Sequence, residues 1–210
     1  LTFTVSGVVD GTNEKIIVDG TTLTLSSGST GTTQTNGLSY SVTFNGTNKV
    51  STVVLSGGSL TASAAQTLVN GIQYQNTSLD DPTSGSRVVT LTQLVDSGSN
   101  VAPNSNTATL SIASTVTVTP INDAPTLSAT ASNPTFTEGS GSGVQGSAVS
   151  VFSGASVSTV EAGQTIAGLT FTVSGVVDGT NEKIIVDGTT LTLSSGSTGT
   201  TQTNGLSYSV

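Results

Sequence analysis

An all-β protein of the sandwich type is what this sequence predicts, on three observations. Apolar residues alternate with Thr and Ser in short runs, as half-buried strands require. Glycines, prolines and turn dipeptides separate those runs. The chain also repeats itself: residues 169–210 copy residues 1–42 without a single change, which sets a period of 168 residues. Identity over so long a stretch marks copies kept alike, and it suits a protein whose job scales with copy number. The expected job is length.

The strand signals run in order along the chain: LTFTV (1–5), KIIV (15–18), TLTL (22–25), LSYSVTF (38–44), VSTVVL (50–55), GIQYQ (71–75), RVVTLTQLV (87–95), TATLSIASTVTVT (107–119), and LTFTV again at 169–173. Asp19-Gly20 lies between KIIV and TLTL. Both residues tolerate a positive φ, so the two runs are expected to pair across a type I′ turn. TASAAQTLVNG (61–71) breaks the alternation. Ala64, Ala65, Leu68 and Val69 share one helical face, Thr61 can cap the start and Gly71 can end it. One short helix is expected there, plugging an end of the sandwich.

The run from Thr107 to Thr119 would extend about 40 Å at roughly 3.4 Å per residue, and Pro120 stops it. INDAPTL (121–127) follows, stiffened by Pro125, and reads as a short connector instead of a flexible Gly/Ser linker. The boundary between repeats is placed there. Residues 1–123 are then the C-terminal portion of one repeat, and 124–210 the N-terminal portion of the next. On this reading residues 1–123 lack the first strands of their own sandwich, and head-to-tail association with a neighbouring molecule is expected to supply them.

Composition excludes several classes of function. Without His or Cys there is no imidazole base, thiol nucleophile or ordinary zinc site. Within one period nine acids face three bases, Lys15, Lys49 and Arg87. Such a polyanion is an improbable partner for nucleic acid. No run of apolar residues is long enough to span a membrane, so no membrane contact is expected within this stretch. Paired carboxylates such as Asp80-Asp81, or Asp10 with Glu14, are in principle able to hydrolyse glycosides. With no Trp and three Tyr a sugar-stacking cleft is poorly supplied, and the chain is not expected to be an enzyme. Gly141-Ser-Gly-Val-Gln-Gly146 has GxGxxG spacing, but it lies in a Ser/Gly loop with no helix after it, so it does not read as a phosphate cradle.

The acids gather where strands end. Asp123 follows Asn122 in the connector, Glu138 follows TFT, Glu161 precedes AGQTI, Asp80 and Asp81 precede Pro82, and Asp96 opens DSGSN. Oxygen donors at the poles of a sandwich are what calcium needs, six to eight of them from carboxylates, amides and carbonyls. Acids also cap turns in ordinary loops. The stiff connector tips the balance toward calcium at Asn122 and Asp123.

YQNTSLDDPTSGSR, LVDSGSN and TVTVTPINDAP, taken together, resemble the cadherin-like repeats of very large bacterial repeats-in-toxin (RTX) adhesins. The resemblance implies Ig/cadherin-like β-sandwiches in tandem, exported to the bacterial cell surface, with calcium in the linkers and roles in adhesion and biofilm formation. It implicates Asn122 and Asp123 with Glu161 of the following repeat in one linker site. Relatives often carry Asp-x-Asp where this chain has the single Glu161. Asp96 resembles the family's Asp-x-Gly loop at the top of a sandwich, and Glu138 the acid that ends the first strand. Asp80 and Asp81 complete the candidate set. The function implied is that of an extender repeat that projects a distal ligand-binding domain, its partners being neighbouring identical repeats. The alternative is a lectin-like or ice-binding sandwich that uses Thr and Ser ladders such as TVTVT. Outward Thr on a strand is equally what β-propensity selects.

Overall fold

The computed structural model describes every residue except Ser195. The chain divides into two compact units, Leu1–Asp123 and Ala124–Val210. The first unit contains, in order, β1 (Thr2–Ser6), β2 (Glu14–Val18), β3 (Thr21–Thr24), β4 (Ser29–Thr32), β5 (Ser39–Asn45), β6 (Val50–Ser56), α1 (Ala62–Asn70), β7 (Gln73–Asn76), β8 (Gly85–Val95) and β9 (Thr107–Val118).

Two antiparallel sheets result, one ordered β4-β5-β6-β1-β8-β9 and one ordered β3-β2-β7. Alternation puts one face of each strand inward, and the inward residues of both sheets meet in a single core. Phe3, Val5, Val42, Val53 and Leu55 come from the larger sheet, Ile16, Val18 and Leu23 from the smaller, and Leu68 from α1. An all-β sandwich is therefore the fold of this unit.

The local signals act where expected. Asp19 and Gly20 have φ of 50° and 75°, and Val18 pairs with Thr21 across them, as a type I′ hairpin requires. Thr61 Oγ1 accepts a hydrogen bond from the Ala64 amide at 3.2 Å, capping α1. β1 is the central strand: Thr4 lies opposite Thr52 of β6 on one side and Thr90 of β8 on the other. β9 pairs with β8 alone and forms one edge of the sheet.

The second unit contains β10 (Thr126–Ala131), β11 (Phe152–Ser158), β12 (Lys183–Val186), β13 (Thr189–Thr192), β14 (Thr198–Thr200) and β15 (Ser207–Ser209). These pair as three separate antiparallel ladders, β10-β11, β12-β13 and β14-β15. LTFTV at 169–173, expected as a strand, is not one here. The identical residues form β1 only where β6 and β8 satisfy both of its edges. Among the described residues of the second unit no strand lies beside the second copy, and a lone extended segment has no ladder to join.

Candidate functional site

The acids expected to hold calcium fall into two kinds of surroundings. Asp80, Asp81, Asp96, Asn122 and Asp123 are exposed on the first unit, and Glu138 is exposed on the second. Asp96 Oδ1 accepts a hydrogen bond from the Gly98 amide at 2.7 Å, which shapes the DSGSN turn. Asn122 Nδ2 donates to the Asp123 carbonyl at 3.4 Å within the connector. Glu138 lines an open cleft of about 480 Å³ with Thr135, Thr137, Gly146 and Val149. Glu161 is buried in the second unit, where the Thr159 hydroxyl donates to its backbone carbonyl at 3.1 Å. Among the described residues no three His, Cys, Asp or Glu side chains come together as a group able to hold a metal ion.

Asp10 and Glu14 do converge, on a cation and not on a cleft. Glu14 is fully buried and Arg87 nearly so. Arg87 Nε donates to Glu14 Oε1, and Nη2 donates to Asp10 Oδ2 at 3.1 Å and to the Thr83 carbonyl at 3.0 Å. The Tyr74 hydroxyl donates to Glu14 Oε1 at 2.9 Å, while the Val9 and Asp10 amides donate to Oε2 at 2.6 and 3.1 Å. Asp10 also accepts from Asn76 Nδ2 at 2.6 Å and from the Thr83 amide at 3.1 Å.

This network ties the loop before β2 to β7 and β8. Burial alone would raise the Asp10 pKa, but the bonds from Thr83 and Asn76 and the nearby guanidinium hold it below the usual carboxylate range. Burial and the bond to Glu14 push the Tyr74 phenol well above its usual value. Burial opposes charge on Arg87, yet the bond to Glu14 raises its pKa further.

The sequence held one sign of Arg87. In the run RVVTL it occupies the same inward face as Val89 and Leu91, an unusual place for one of only three bases in the period. A charge at such a position needs a buried partner. Glu14, 73 residues away, is not something local spacing can name.

A second buried acid locks a loop. Asp19, in the turn between β2 and β3, accepts from the Thr33 hydroxyl, from the Asn36 amide at 3.0 Å and from Asn36 Nδ2 at 2.5 Å. Thr33 Oγ1 in turn accepts from the Leu38 amide at 2.9 Å. The TQTNGL loop is thereby pinned onto the hairpin. Burial would raise the Asp19 pKa, but the bonds from Thr33 and Asn36 outweigh it and the value is lowered.

The second copy reproduces the local half of this architecture. Asp187 accepts from the Thr201 hydroxyl at 2.5 Å, the Asn204 amide at 2.8 Å and Asn204 Nδ2 at 2.5 Å. Ile184 faces Leu191 in β12 and β13 as Ile16 faces Leu23. Glu182 Oε2 accepts from the Val177 and Asp178 amides at 2.7 and 3.1 Å, as Glu14 does from Val9 and Asp10. These hydrogen bonds, all within the 42 residues, recur in both copies.

Comparison of the chain with family models, with curated proteins and with solved structures finds no match.

Proposed function

We propose that this chain is a stretch of tandem extender repeats, a structural spacer of a large bacterial surface adhesin, in which calcium at the connector between repeats makes the array stiff. The observation that carries the reading is the verbatim second copy, which refolds the same hairpin and the same aspartate-pinned loop in its own unit. A module that rebuilds its local structure from local contacts is suited to serial repetition, where each repeat touches only its neighbours.

The distribution of acids supports the same reading. Asp10, Glu14 and Asp19 are engaged inside the first unit. Asp80, Asp81, Asp96 and the connector pair Asn122-Asp123 lie on the surface, where they add to the net charge of −8. Along an array this charge repels itself. A divalent cation shared between acids of adjacent repeats replaces that repulsion with coordination and removes hinge freedom at the connector. Asn122 and Asp123 would supply connector oxygens, and Glu161 would supply one from the following repeat.

Calorimetry tests the site. In excess calcium the melting temperature should rise over that in chelator, by mass action on the folded state. Asp123→Ala should remove most of the rise. Equal calcium responses in Asp123→Ala and the parent sequence would take calcium away from this connector.

A further inference from the structure

Asparagine-glycine steps occur in the first unit at Asn36-Gly37, Asn45-Gly46 and Asn70-Gly71. Each carries the groups for a reaction that needs no other protein. The glycine amide nitrogen attacks the asparagine Cγ, the new C–N bond closes a cyclic imide, and Nδ2 leaves as ammonia with the proton lost from the glycine. Water then opens the imide. Opening at one carbonyl gives an aspartyl link and at the other an isoaspartyl link, and a glycine, having no Cβ, leaves its nitrogen open to the approach.

The fold treats the three steps differently. Asn36 is held by its side chain, with Nδ2 donating to Asp19 Oδ1 at 2.5 Å and the backbone amide donating to Asp19 Oδ2 at 3.0 Å. Departure of Nδ2 gives up that bond. The Asp19 carboxylate also opposes the negative charge that develops on the amide oxygen during attack. At Asn70 the nucleophile is tied instead: the Gly71 amide closes α1, donating to the carbonyls of Thr67 at 3.0 Å and Leu68 at 3.2 Å.

Asn45 has neither restraint. It ends β5, and residues 45–49 of the turn into β6 are all exposed. Its Oδ1 accepts from the Thr47 amide at 3.0 Å and the Asn48 amide at 3.4 Å, so two donors point at the oxygen on which charge accumulates when Cγ is attacked. Oxyanion holes work in this way. Among the described residues no hydrogen bond occupies Asn45 Nδ2 or the Gly46 amide.

We propose that Asn45 is a self-modification site, deamidating through Gly46 with water as its only co-reactant, while Asp19 protects Asn36 and the end of α1 protects Asn70. Each event adds one negative charge to the turn that contains Lys49, one of three bases in the period. The isoaspartyl product also lengthens the backbone by one carbon at the residue paired with Val50. The Asp19 lock recurs in the second copy, where Asn204 donates to Asp187 from Nδ2 at 2.5 Å and from its amide at 2.8 Å.

The test is to incubate the folded chain in mildly alkaline buffer and to follow each asparagine by peptide mass spectrometry, with aspartyl and isoaspartyl products separated by chromatography. Asn45 should convert about tenfold or more faster than Asn36 and Asn70, the factor that a restraint of about one hydrogen bond imposes through a barrier. In urea, with the fold lost, the three rates should converge. Gly46→Ala adds a Cβ whose nearest neighbour is Phe44 Cε1 at 3.7 Å, an ordinary contact, so it should slow Asn45 by a similar factor with melting unchanged. Asp187→Ala should speed Asn204 without touching the first unit. Equal rates at Asn36 and Asn45 in the folded chain, an Asn45 rate indifferent to Gly46→Ala, or an Asn204 rate indifferent to Asp187→Ala would overturn the proposal.

Discussion

Replacing Arg87 with Ala should be among the most destabilising single changes in the first unit. It strands Glu14, which is fully buried, without its cation, and deprives Asp10 of one as well. Breaking a buried ion pair from one side costs about 3–5 kcal/mol, because the remaining charge is left uncompensated. At an unfolding entropy of about 2.1 cal/mol/K per residue, the unit Leu1–Asp123 loses roughly 12–19 °C of melting temperature for that cost. The assay is thermal and urea unfolding followed by circular dichroism in dilute solution. Arg87→Met combined with Glu14→Gln should recover a large part of the loss, since removing both charges costs less than removing one. The second copy is the internal control: Glu182→Gln, at a site without the guanidinium, should change stability by no more than about 0.5 kcal/mol. If Arg87→Ala melted within two or three degrees of the parent, as a surface change does, the network would not be holding the loop before β2 to β8.

Three further outcomes follow from the same geometry. Gly7 and Gly175 have nearly the same φ, 79° and 78°, but a Cβ on Gly7 would stand 2.4 Å from the Ser86 carbonyl oxygen while one on Gly175 would meet nothing within 4 Å. Gly7→Ala should therefore cost clearly more than Gly175→Ala, whose penalty is the left-handed backbone alone, about 1–2 kcal/mol; equal costs in urea titrations would mean that the loop after β1 does not press on β8. Asp10 and Asp19 have lowered pKa values, so the stability they contribute is present above the unfolded aspartate value of about 3.9 and is lost as pH falls through their lower folded values. Melting temperature should hold through mildly acidic pH and drop only below about pH 4, and Asp19→Asn should flatten that drop; a decline starting near pH 6 would contradict it. Because the first unit has its own apolar core, its far-ultraviolet circular dichroism should remain of β type in chelator, and wholesale loss of that signal would make the ion a folding cofactor.

The features legible in the sequence are those set by neighbours along the chain. Asp19-Gly20 needs only its own φ angles to turn, and Thr61 caps α1 through an amide three residues on. The long strands β8 and β9 show in their apolar runs. β4 was not legible because STGT carries no apolar residue, and its place comes from pairing with β5. β10 and β11 were missed for a similar reason: TLSATA and FSGASVS are small and polar, and β11 holds a glycine in mid-strand. LTFTV is the clearest lesson, since one sequence is a central strand at its first occurrence and no strand at its second. Alternation states that a segment is able to pair; residues 43–123 decide whether it does. The ion network was hidden by the same distance, Arg87 and Glu14 being neighbours only once β2 and β8 are folded together.

The central claim, a spacer stiffened by calcium at its connectors, is tested most directly by small-angle X-ray scattering from an array of several repeats, in calcium and in chelator. The account predicts a maximum dimension that grows linearly with repeat number in calcium, and a shorter, broader distance distribution in chelator with the β signal intact. Superimposable scattering curves in the two conditions would contradict it.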